Sequence, residues 1–305
     1  MSPTATGPKL PPQTVEPRAP APFAPYALHE PQGDAIPLVC DSPHSGTRYP
    51  VDFDHALAFA QLRSGEDTDV DVLWGALPAV GATLIAAEFP RAYIDPNREP
   101  ADIDPELLSA PWPGPVAPSE KTRLGVGLIW RLAGHGEASP IYDRKLSPAE
   151  VQARIDLYYR PYHAVLAERI EQAYSRFGAL WHLNLHSMPA NAYERLKLAH
   201  EHPLADFVLG DRDGSTCAPE FVDMVAHALR SRGYRVAIND PFKGVAVIAR
   251  IGRPAEHRHS LQIEVHRGLY MDEATRARSA GFARLRADLD GAAADIARYI
   301  REQVK

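Results

Sequence analysis

Residues 36–50 read IPLVCDSPHSGTRYP. An apolar run reaches Cys40 and gives way to Asp41, Ser42, Pro43, His44, Ser45 and Gly46. A short apolar run closed by turn residues reads as a buried strand feeding a loop. His44 then stands at the carboxyl end of a central strand, where open α/β sheets place their sites. A single loop histidine is more often structural, but residues 180–187, LWHLNLHS, repeat the design and end with His186 and a serine. Two strands delivering two imidazoles to one sheet edge form half of a metal site.

Working outward, strands are expected at 36–40, 82–89, 92–95, 127–131, 179–186, 206–210, 235–239, 244–250 and 260–266. Helices are expected at 51–61, 66–77, 147–177, 219–232 and 272–301. In 66–77, Val70, Leu73, Trp74 and Leu77 recur at helical spacing. Ser147, Pro148 and Glu150 make a capping box with proline at the first helical position. Pro161 should kink or split that helix. Strands alternating with helices argue one α/β domain, with a mostly parallel or mixed sheet, over residues 33–305. Residues 1–32 hold nine prolines and read as an extended or disordered arm. Residues 99–123 hold six more, as a lid or binding loop would.

Composition narrows the function. The 305 residues are 45% hydrophobic and 24% charged, an ordinary globular balance. A net charge of -6 gives no basic face for nucleic acid. The two cysteines, Cys40 and Cys217, form no CxxC pair. No apolar run approaches the roughly 18 residues of a membrane span, and the N-terminus lacks the order of a signal peptide, so a cytoplasmic protein is expected. There is no GxxxxGK[ST] loop, GxSxG elbow, HExxH or complete dinucleotide fingerprint.

Polar residues at strand ends remain. A catalytic zinc takes three protein ligands plus water, so His44 and His186 need a third. The acidic group Glu66, Asp67, Asp69 and Asp71 offers one; it reads equally as a solvated helix start. In residues 260–266, SLQIEVH, alternation places Leu261, Ile263 and Val265 on one face and Gln262, Glu264 and His266 on the other. Glu264, late in the strand, could be a general base, or the strand could be an exposed edge with a polar face. Arg91, Asn97 and Arg98 lie after or between strands and suit a substrate carboxylate, as do Arg131 and Lys243 more weakly.

The ordered set PHSG at 43–46, DTD at 67–69, RxxxDxNR at 91–98, GVGLIWR at 125–131, LHS at 185–187, LGDRDGSTC at 209–217, FKG at 242–244 and QIEVHRGLYMDE at 262–273 resembles the N-formylglutamate amidohydrolase family over residues 36–275. That family is similar to the zinc carboxypeptidases and aspartoacylase. The resemblance implies a three-layer α/β sandwich with a mixed, mostly parallel sheet, one Zn2+ per chain, and hydrolysis of an amide on a small acidic N-acyl amino acid. By motif, His44 and His186 would be zinc ligands, Asn97 and Arg98 would grip a substrate carboxylate, and Glu264 would be the base. The His-x-x-Glu of those relatives fails here, because Thr47 stands three residues after His44. The third ligand would come from DTD, with Asp69 favoured and Asp67 the alternative. Trp130 also departs from the proline favoured in the family.

Overall fold

The computed structural model of the protein describes residues 23–134 and 138–304. Its strands are β1 (Tyr26–His29), β2 (Leu38–Ser42), β3 (Thr83–Ala87), the short pair β4 (Leu132–Ala133) and β5 (Ser139–Pro140), then β6 (Leu180–Met188), β7 (Phe207–Gly210), β8 (Val236–Ile238) and β9 (Arg258–His266). Seven form one sheet in the order β1-β3-β2-β6-β9-β7-β8. β3, β2, β6 and β9 run parallel to one another, and β7 runs parallel to β8. β1 is antiparallel to β3, and β7 is antiparallel to β9. The architecture is therefore α/β with a mixed, mostly parallel sheet, as expected.

Alternation explains the layers. Leu38, Cys40, Leu183, Leu185, Leu261, Ile263 and Val265 project from one sheet face. They pack on Phe221, Val225 and Leu229 of helix Pro219–Arg230 and on Leu285, Leu289 and Ile296 of helix Phe282–Gln303. Val39, Ile85 and Leu180 project from the other face, towards Tyr162, Val165, Leu166 and Ile170 of helix Arg160–Phe177. On that second face β2, β6 and β9 also carry Asp41, His182, Asn184, His186, Ser260, Gln262 and Glu264, all buried. Burying so many polar groups is costly unless each finds a partner.

Several expected elements differ. Within the expected extended arm, residues 26–29 form β1, which continues the sheet beyond β3. Residues 1–22 of that arm lie outside the described residues. Residues 92–95 and 127–131 are turns and loop rather than strands. Residues 244–250 become a helix, Ala246–Ile251, because a short apolar run alone does not separate strand from helix. The 51–61 region forms the short turns Val51–Phe53 and Phe59–Leu62. The helix expected at 66–77 shrinks to Val70–Leu73, followed by a 3-10 turn at Leu77–Val80. The last helix begins only at Phe282.

The capping box at Ser147 and Glu150 forms as expected. Pro161 neither breaks nor splits the helix it opens: the backbone widens into a π turn over Ile155–Tyr159, where the Arg160 N–H donates to the Ile155 carbonyl. Proline cannot donate to the carbonyl four residues back, and a wider turn accommodates that missing bond. No helix among the described residues is long and apolar enough to cross a membrane.

Candidate active site

The site lies where β2, β6 and β9 end. His44 follows β2, and His186 and Glu264 are register partners on adjacent strands. Asp67 comes from the loop before Val70–Leu73, positioned by a bond from its backbone N–H to the His44 carbonyl. One ligand-type atom from each of His44, Asp67 and His186 falls within 4.8 Å of the others, and all three residues are buried.

The partners around this trio set its chemistry. His44 Nε2 lies 2.8 Å from Asp95 Oδ1, so the network assigns the ring proton to Nε2, donating to Asp95. That leaves His44 Nδ1 with a lone pair and no hydrogen-bond partner, 3.4 Å from Asp67 Oδ2. Asn184 is oriented by Nδ2 donating to Asp41 Oδ1 at 2.8 Å. Its Oδ1 must therefore accept, and it takes the Nε2 proton of His186 at 2.7 Å. Asn97 Nδ2, a donor, also lies 2.7 Å from His186 Nε2; in the tautomer that donates to Asn184, His186 Nδ1 keeps its lone pair, 3.0 Å from Asp67 Oδ2. Arg267 holds the other oxygen, Oδ1, at 2.8 Å.

In these tautomers three electron-pair donors converge on one point, a repulsion that a cation sitting there would relieve. The two-imidazole, one-carboxylate set suits zinc, and the outer carboxylate and amide orient the rings as partners of metal-ligating histidines commonly do. The residues fit a metal ion.

Electrostatics agree. Burial would raise the Asp67 carboxyl, but the neighbouring imidazoles of His186 and His44 and the charge of Arg267 hold it well below the usual carboxylate range. Burial likewise opposes ionisation of Asp95, and Arg91, Arg98 and His44 overcome it. Glu264 is different. Burial pushes it up to about 7; His186 opposes this and the Asp67 charge adds to it. Its Oε1 accepts from Gln262 Nε2 at 2.9 Å.

A carboxyl raised from 4.5 to about 7 on folding takes up protons as the chain folds, so stability falls as pH rises through that window. The order of magnitude is about 3 kcal/mol by pH 8. Glu264→Gln keeps the acceptor and loses the charge. It is expected to raise the melting temperature of metal-free protein at pH 8 and to leave it unchanged near pH 4, as calorimetry can measure.

A cavity of about 170 Å³ opens above the trio, lined among others by Arg91, Asn97, Arg98, Trp130, Glu264 and Arg267. Asp95 anchors Arg91 through its Nε and Nη2 and lies 3.7 Å from Arg98. Trp130 donates to the same carboxylate at 3.3 Å and lies under the Arg91 guanidinium, which gives the tryptophan a place in the wall.

The structure gathers His44, His186, Glu264, Arg91, Asn97 and Arg98 at one pocket. It does not bring Asp69 or Arg131 there. Asp69 has a left-handed backbone, φ 63°, which turns it away, and both its oxygens accept from Arg278 at 2.8 Å. Asp67, the alternative, takes the place beside the imidazoles. Arg131 pairs with Asp104 at 2.8 Å and with Glu106, outside the cavity. Lys243 pairs with Asp213 at the surface. Sequence reasoning missed Arg267, Lys121, Arg195 and Asn184. Asn184 was signalled by alternation with His186 on β6, whereas the cations come from segments without periodicity.

Convergent ligands beside a buried carboxylate of raised pKa are the arrangement of a hydrolase, and comparison with known proteins gives the same class. The model of the N-formylglutamate amidohydrolase family matches residues 36–271. The chain belongs to that family. It is 29% identical over 245 residues to the N-formylglutamate deformylase of Pseudomonas putida, covering 78% of this chain and 83% of that one. It is 28% identical over 274 residues to the enzyme of the same name from Pseudomonas aeruginosa, covering 88% and 92%. A crystal structure of N-formylglutamate amidohydrolase from Ralstonia eutropha JMP134 is 63% identical and superposes with a TM-score of 0.90, over 92% of this chain and 100% of that one.

Proposed function

We propose that this protein hydrolyses the formamide bond of N-formyl-L-glutamate, giving formate and glutamate, with one zinc ion held by His44, Asp67 and His186. The observation that carries the reading is the unpartnered His44 Nδ1, facing Asp67 Oδ2 and His186 Nδ1 under a cavity rich in cations. The named relatives support the substrate.

Zinc in that position would supply Lewis acidity, polarising the formyl oxygen and lowering the pKa of water towards roughly 7. The chain supplies the rest. Glu264, ionised, removes a proton as the water oxygen bonds to the formyl carbon. The same carboxyl then gives that proton to the amide nitrogen as the C–N bond breaks, so the amine leaves neutral and takes a further proton from the formic acid. Arg91, fixed by Asp95, is placed to stabilise negative charge developing on the formyl oxygen. Asn97 and Arg98 bind the substrate carboxylate next to the scissile amide.

Formate release from N-formyl-L-glutamate tests the reading. Release should stop on chelation and return when zinc is added. Release that is indifferent to exhaustive chelation would remove the metal from the mechanism. A protein that binds one zinc per chain without releasing formate would move the substrate to another N-acyl amino acid.

A further inference from the structure

Five cations line the cavity: Arg91, Arg98, Lys121, Arg195 and Arg267. Three carboxylates face them, Asp67 and Glu264 in the wall and Asp95 beneath the arginines. Much of this charge is already matched. Arg267 binds Asp67. Arg91 and Arg98 share the single carboxylate of Asp95. Arg195 feels Glu273 as well as the repulsion of Arg267.

Lys121 makes no ion pair among the described residues and feels only the charge of its chain neighbour Glu120 against the two arginines. It sits on the short helix Glu120–Arg123, whose cap Ser119 is tied to Asp102 through both its backbone N–H and its hydroxyl. The lysine therefore has a fixed origin although residues 99–123 are rich in proline. Its side chain is partly buried at the cavity wall, and its ammonium makes no hydrogen bond or ion pair among the described residues. Burial and the like charges of Arg98 and Arg91 pull its pKa down. An ammonium crowded against two guanidiniums that already divide one carboxylate is unfavourable until another anion arrives.

We infer that Lys121 is a specificity-determining residue that binds the side-chain carboxylate of the substrate, the one farther from the scissile bond. This rests on the reading of the site given above. The α-carboxylate hangs on the carbon that bears the formamide nitrogen, so it must lie beside the reacting centre. Asn97 is there, with its Nδ2 2.7 Å from His186 Nε2, and Arg98 follows it in the chain. The side-chain carboxylate stands two methylenes farther out. Lys121 touches neither Asp95 nor the His44–Asp67–His186 group, and its ammonium is free to meet that second charge. A neutral side-chain amide would leave it unmatched, which makes Lys121 a device for choosing glutamate over glutamine.

The test is steady-state kinetics on N-formyl-L-glutamate and N-formyl-L-glutamine with the zinc-loaded wild type and with Lys121→Met, Lys121→Arg and Arg195→Met. Lys121→Met should lose roughly 10- to 100-fold in kcat/KM on the glutamate substrate, mainly through KM, the worth of one charged hydrogen bond. Its activity on the glutamine substrate should not change, and Lys121→Arg should recover most of the loss. Equal losses on both substrates would overturn the assignment, as would a loss of discrimination in Arg195→Met but not in Lys121→Met. Should the wild type release no formate from either compound, the proposed reaction fails separately. Calorimetric binding of L-glutamate against L-glutamine then decides on Lys121: a preference that disappears in Lys121→Met upholds it, and no preference in the wild type removes it.

Discussion

Glu264→Gln should lower kcat on N-formyl-L-glutamate by roughly 10²- to 10⁴-fold, the usual worth of a positioned general base. Metal content should stay at one ion per chain, since Glu264 is not one of the converging donors. KM should change little, because the carboxylate acts on the proton in flight rather than on the bound ground state. The structure gives the reason for choosing this residue. Glu264 is buried against the reacting space, bonded among the described residues only to the amide of Gln262, and raised to about 7, so near neutral pH it can both accept and return a proton. Rate constants and zinc analysis on the same preparation check the prediction. Unaltered turnover would dismiss Glu264 as the base and leave its burial without a catalytic explanation.

Asp67→Asn should weaken zinc binding by more than about 100-fold, beyond what losing an outer-shell partner costs. Asp69→Asn should leave it intact. Both predictions follow from where the carboxylates point: Asp67 Oδ2 towards two imidazole lone pairs, Asp69 out to Arg278. Asp67→Asn also deprives buried Arg267 of its charge partner, so a lower melting temperature should accompany the loss of metal. Elemental analysis after dialysis separates the two variants. Retention of zinc by Asp67→Asn, with loss in Asp69→Asn, would reverse the ligand assignment.

That pair of aspartates marks the limit of what the chain reveals when read as a string. β6 was legible as a buried run ending in a histidine, and β9 by its alternation, which told which of its side chains share a face. His44 was legible as a turn after a buried strand. Asp67 and Asp69 stand two residues apart in one acidic group, and their difference is made elsewhere. Arg267, 200 residues later, captures one, and Arg278, 209 residues later, captures the other. The apolar run ending at Asp95 looked like a strand, yet its backbone turns there so that the carboxylate can reach His44, Arg91 and the Asn97 N–H. Lys121 and Arg195 come from short helical turns with no repeating pattern to announce them.

β1 has a consequence for handling the protein. It pairs along β3, whose residues are all buried, and so covers an otherwise open row of peptide N–H and C=O groups. Cutting the chain after His29, by protease or in a shortened expression clone, would remove that cover while leaving every catalytic group in place. The bared strand is apolar (Thr83, Leu84, Ile85, Ala86, Ala87) and carries no charge to discourage another chain from docking. Self-association and precipitation would then limit the yield of a protein whose chemistry was untouched.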